Sequence, residues 1–91
     1  MFLCFYVLIS YTIECEVCKS ITNIVEDQIL ITNSSLYAIE EIVKFICDVS
    51  LKNSTEKLYC NEILGNITQI QKWVIQGLNT SQICHNIHMC Q

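Results

Sequence analysis

The tail of the chain, residues 83–90, holds the residue types that most often carry chemistry in proteins. Cys84 and Cys90 stand six positions apart, and both histidines of the chain, His85 and His88, lie between them. A thiolate beside an imidazole can act as a nucleophile, and two cysteines with two histidines can hold zinc. The tail is therefore the first place to look for function.

A second cysteine pair, Cys15-x-x-Cys18, stands near the other end of the chain. A Cys2His2 zinc site built from this pair and the tail histidines would have unusual spacing and would leave the tail cysteines unexplained. A nucleophilic site needs a free thiolate, and a framework of paired cysteines leaves none. P-loop, serine-elbow and helical zinc-protease motifs are missing from the sequence. We therefore predict no metal, no cofactor and no enzymatic activity.

Composition favours a small, stapled and unusually apolar domain. The chain has 91 residues, seven cysteines and no proline, with 52% hydrophobic and 15% charged residues. A domain of this size often needs disulfides, and so many apolar residues must be covered by a core, by lipid or by a partner. The formal net charge of −4, with five lysines and no arginine, argues against nucleic acid as a partner.

Residues 1–13 form an apolar segment that is too short to span a bilayer as a helix. We interpret it as a secretory signal, and the alternative is an extra apolar strand or helical turn packed on the domain. Removing it would remove Cys4 and leave six cysteines in residues 14–91, the even number that a secreted disulfide framework requires.

From Cys15 onward, apolar residues recur at the spacing of α-helices. Polar turns predict N-caps at Ser34 or Ser35 and at Asn53 or Ser54, and Asn79 with Gln82 predicts a capping box. The predicted helices are 15–31, 36–49, one from 53 or 54 to a break at Gly65, 66–76 ending at Gly77, and a last helix from 79 that carries Cys84, His88 and Cys90. We therefore predict an all-α fold.

Six cysteines allow 15 pairings, and sequence alone does not choose among them. The short polar turn between the second and third helices favours an antiparallel hairpin, which brings Cys47 and Cys60 together. The other four cysteines would then join the first and last helices in one of the remaining arrangements.

The cysteine order Cys-x-x-Cys, long gap, Cys, shorter gap, Cys, long gap, Cys-x5-Cys resembles that of the saposin-like family. The ending Ile83-Cys84-x-x-Ile87-His88-x-Cys90 is most similar to the amoebapores within it. The resemblance implies a leaf of four to five amphipathic helices. It also implies the disulfides Cys15–Cys90, Cys18–Cys84 and Cys47–Cys60.

The resemblance further implies a protein that is secreted or stored in lysosome-like granules and that meets membrane phospholipids. We expect it to self-associate and form pores in target cells or engulfed microbes. His88 would be the acid-sensitive switch for dimerisation, with His85 as a second titratable group, although both could simply be solvated. The alternatives are a non-lytic module that binds or presents lipids and a purely structural, pro-segment-like domain.

Two further sets of residues are candidates for surface roles. Trp73, with Ile70 and Val74 on the same predicted helix, could contact membrane or could belong to the core. Four Asn-x-Ser/Thr sequons predict glycosylation, unless they arise by chance in a chain rich in these residues: Asn33, Asn53, Asn66 and Asn79.

Overall fold

The structure, a computed structural model, describes residues 2–51 and 53–90, with side chains from residue 13 onward. All regular elements in these ranges are helical: α1 (Phe2–Leu30), α2 (Leu36–Phe45), a π-helical segment (Ile46–Ser50), α3 (Ser54–Gly65), α4 (Ile67–Ile75) and α5 (Thr80–Asn86). Three disulfides staple them. The predicted all-α, disulfide-stapled fold is confirmed.

Short polar side chains start three of the helices. The Ser35 hydroxyl accepts from the backbone N–H of Ala38 at the start of α2, and the Asn53 side chain accepts from that of Thr55 at the start of α3. Asn79 and Gln82 form the predicted reciprocal capping box of α5. These bonds satisfy backbone donors that have no partner inside a helix.

Glycine ends two helices. α3 ends at Gly65, and α4 begins directly after Asn66, as the predicted break requires. α4 ends at Ile75, and Gly77, the residue after its C-cap, has φ of +95°. The N–H of Gly77 bonds to the Val74 carbonyl and the N–H of Leu78 to the Trp73 carbonyl, which is the Schellman arrangement.

The second predicted helix, 36–49, needs one correction, because regular α-geometry ends at Phe45. The next five residues, which include Cys47, form a π-helical turn. A π turn is wider than an α turn, so it changes which residues share a face. This segment carries the chain from α2 to the turn before α3.

The core lies between α1 and the four shorter helices. Its fully buried side chains include Val25, Ile39, Ile63, Ile70 and Ile83, one from each helix. Two buried polar groups are satisfied. The Thr22 hydroxyl lies 3.6 Å from the Cys84 sulfur, and Gln71 Nε2 donates to the Leu36 carbonyl at 3.2 Å, which ties α4 to the start of α2.

Candidate functional site

The three disulfides connect two pairs of segments. Cys15–Cys90 and Cys18–Cys84 join α1 to the tail and to α5, with Cα–Cα distances of 4.6 and 5.9 Å. Cys47–Cys60 joins the π-helical segment to α3 at 5.5 Å. All three distances lie in the usual range for disulfides. The structure thus has the pairing that the saposin-like resemblance implies.

The tail reverses direction at His88. α5 ends at Asn86, and His88 adopts a left-handed conformation with φ of +63°. The His88 N–H bonds to the His85 carbonyl, and the Met89 N–H bonds to the Cys84 carbonyl, each at 3.0 Å. This is a second Schellman turn, with histidine at the position that glycine usually occupies.

The prediction that one helix carries Cys84, His88 and Cys90 was therefore wrong at its C-terminal end. Six residues of α-helix would separate the two cysteines by about 9 Å along the axis and turn their side chains to different faces. Cys15 and Cys18 are only one turn apart on α1, so both bonds cannot form with a straight tail. The turn at His88 brings Cys90 back toward Cys15 on α1. The tail contains no glycine from which this turn could have been predicted.

The two histidines occupy different surroundings. His85 is exposed in the last turn of α5, beside a shallow depression that Leu78 and Gln82 also line. His88 is exposed on the turn itself, two residues before the Cys15–Cys90 bond. The four cysteines that were candidates for a zinc or nucleophilic site form two disulfides with one another. Among the described residues, no cluster of histidine, cysteine and carboxylate has the arrangement of a metal site.

Glu14, directly before Cys15, has the clearly perturbed environment among the titratable groups that the structure describes. It is half-buried on α1. Partial burial first, and repulsion from the Glu62 carboxylate on α3 second, raise the pKa of Glu14 above its ordinary value of 4.5. Because the folded state disfavours the charged form, ionised Glu14 destabilises the fold at neutral pH. This penalty disappears as the pH falls through the raised pKa.

We expect Glu14→Gln to raise the melting temperature at pH ~7 and to have no such effect at pH ~4, where the wild-type carboxyl is largely protonated. Glu62→Gln should give a smaller gain in the same direction, because it removes only the second cause. Glu41→Gln, on the exposed face of α2, is the matched control. Thermal unfolding at both pH values checks this, and a lower melting temperature of Glu14→Gln at neutral pH would contradict it.

The three proposed membrane-contact residues are not equivalent in the structure. Ile70 and Val74 are buried in the core, whereas Trp73 is half-buried and packs against it. Contact of Ile70 or Val74 with lipid would therefore require the helices to separate. Trp73 is the one of the three that is already partly accessible.

All four sequon asparagines are exposed at helix boundaries or turns. Asn53 and Asn79 use Oδ1 for capping, which leaves the glycan-bearing nitrogen Nδ2 outside the cap bond. Asn66 differs because its Nδ2 donates to the Glu62 carbonyl. Asn33 lies in the turn after α1 with φ of +56°. Glycosylation remains a prediction at each position.

Sequence reasoning missed a group of exposed apolar residues at the turn between α1 and α2. Leu30, Ile31, Leu36 and Tyr37 flank this turn, and Ile31 and Tyr37 are 78% and 73% exposed. The turn is held by the Ser34 side chain and N–H, which both bond to Gln28. We call these four residues the apolar tip. Helical periodicity placed Leu36 on the buried face, so the sequence pattern carried no signal for this surface.

Other large apolar side chains are exposed elsewhere, at Phe45, Val49, Leu58 and Ile75. Within the part of the chain that the structure describes, no helix combines the length and apolarity needed to cross a bilayer. Comparison with protein-family models, with curated proteins and with solved structures finds no match to this chain.

Proposed function

We propose that this chain is a secreted, membrane-interacting protein that permeabilises the membranes of target cells or engulfed microbes, as the resemblance to amoebapores implies. Its three disulfides are compatible with an extracellular or secretory-pathway location. Acid activation through His88, followed by self-association, is part of the proposal. The runner-up is a non-lytic lipid-binding or lipid-presenting module.

The apolar tip is the observation that carries this proposal. Its four large apolar side chains flank one short turn and are exposed. Other large apolar side chains of the same chain, such as Ile39 and Ile63, are fully buried in the core. Grouped exposed apolar residues are typical of surfaces that meet a membrane or another protein. Side chains that are already exposed can enter the interfacial region of a bilayer without separation of the disulfide-bonded helices.

We expect the double variant Ile31→Ser/Tyr37→Ser to bind phospholipid vesicles at least about tenfold more weakly than wild type, since each large apolar side chain contributes on the order of 1.5–3 kcal/mol on full burial. Both residues are mostly exposed, so the fold should retain its stability. Vesicle co-sedimentation and the emission shift of Trp73 measure the binding.

The matched control is Val49→Ser/Leu58→Ser, which removes two exposed apolar side chains away from the tip. It should bind like wild type. Equal losses in the two double variants would show that the tip is not the contact surface, and no binding by wild type would refute the membrane proposal. Dye leakage and lipid transfer, measured in parallel, separate pore formation from lipid carriage, because a carrier moves lipid without releasing vesicle contents.

A further inference from the structure

A groove outside the tail and the apolar tip lies between α1, the π-helical segment and α3. Its volume is about 260 Å³, slightly below the usual range for small-molecule sites. Its apolar lining comes from three α1 residues, from the first residue of the π-helical segment and from the residue directly after that segment: Val17, Ile21, Ile24, Ile46 and Leu51. The volume of the groove is comparable to that of a short hydrocarbon chain.

The polar part of the groove is acidic. Glu16 on α1 and Glu56 on α3 line it from two different helices, and Ser20 is the other polar residue in the lining. No lysine or histidine lines the groove among the residues that the structure describes. Neither carboxylate has a salt bridge within the described residues. The groove therefore joins an apolar wall to two carboxylates, in a chain whose formal charge is −4.

We infer that this groove binds a single-chain amphiphile with a primary amine headgroup, with the chain against the isoleucine wall and the ammonium between Glu16 and Glu56. An ammonium group carries three donors and a positive charge, which match two carboxylates. An anionic lipid would meet like charge, and a neutral lipid would gain no charge pairing from the two carboxylates. The inference goes beyond membrane permeabilisation and is independent of the apolar tip.

The test is calorimetric titration of the oxidised full chain with decylamine, 1-decanol and decanoate at pH ~7, each below the concentration at which it aggregates. The three probes share a chain length and differ in headgroup charge. Decylamine should bind about tenfold or more tightly than decanol, and decanoate should bind most weakly. Equal affinity for amine and alcohol, or no binding of the amine, would overturn the inference.

Glu16→Gln/Glu56→Gln removes both charges with little change in shape and should reduce decylamine affinity to the level of decanol. Glu41→Gln, on the exposed face of α2, should leave it unchanged. Ser20→Phe should fill the groove and abolish binding of both probes. Decylamine binding that survives the double glutamine variant would show that these carboxylates do not select the ligand. The double glutamine variant keeps the test decisive even if Ser20→Phe folds poorly. Vesicle leakage measured on the same double variant shows whether loss of this site also affects the proposed membrane permeabilisation.

Discussion

Removing both disulfides that join α1 to the tail should cost about 7 kcal/mol of unfolding free energy, whereas removing either one alone should cost only about 2–3 kcal/mol. The reason is that the bonds are nested. Cys15–Cys90 and Cys18–Cys84 span 75 and 66 residues, so either one alone already closes nearly the same long loop in the unfolded chain. The second bond adds only a small ring.

Urea unfolding of Cys15→Ala/Cys90→Ala, of Cys18→Ala/Cys84→Ala and of the fourfold variant measures this effect. The fourfold variant should be largely unfolded, because the expected loss is comparable to the whole stability of a small domain. Cys47→Ala/Cys60→Ala, which opens a 13-residue loop, should cost about 3 kcal/mol and is the control for a bond that is not nested. Additive losses for the two α1 bonds would contradict the nested arrangement.

The pairing itself can be read without reduction. Cleavage after Glu16 separates Cys15 from Cys18, and cleavage after Met89 separates Cys84 from Cys90. The peptides should stay joined as Cys15 with Cys90 and Cys18 with Cys84. A peptide that joins Cys15 to Cys84, or Cys15 to Cys18, would contradict the structure.

The second large effect concerns acid activation, and we expect vesicle leakage to be higher at pH ~5 than at pH ~7 and to lose this difference in His88→Gly. Protonation would add positive charge at His88 and reduce the net negative charge of each copy, which favours association between copies and approach to anionic lipid. Analytical ultracentrifugation at pH ~5 and ~7 should show the matching shift from monomer toward oligomer.

Glycine is the informative substitution because His88 lies at φ of +63°, where glycine has no steric penalty. The variant can therefore keep the same backbone turn while lacking the titratable group. His85→Gln, at an exposed position of α5, is the matched control and should keep most of the acid response. Full acid activity in His88→Gly would refute the switch, and a loss confined to His85→Gln would move it to His85.

Local sequence determined much of this fold because helix boundaries depend on groups only a few residues apart. Ser35, Asn53 and Asn79 cap helices through side chains that reach the next turn, and Gly77 ends α4 through a conformation that glycine adopts easily. The polar turn before α3 likewise placed Cys47 near Cys60. Such signals can be read from sequence without knowledge of distant contacts.

The tertiary structure alone decided the features that depend on distant partners. His88 takes the turn position because Cys84 and Cys90 must both reach cysteines that are one turn apart on α1. This constraint comes from distant residues, so the sequence around His88 does not predict the turn. Leu36 is half-exposed although it lies on the apolar face that periodicity predicts, whereas Ile39 and Val43 on the same face are fully buried. Periodicity identifies the apolar face of a helix, and only packing determines how much of that face is covered.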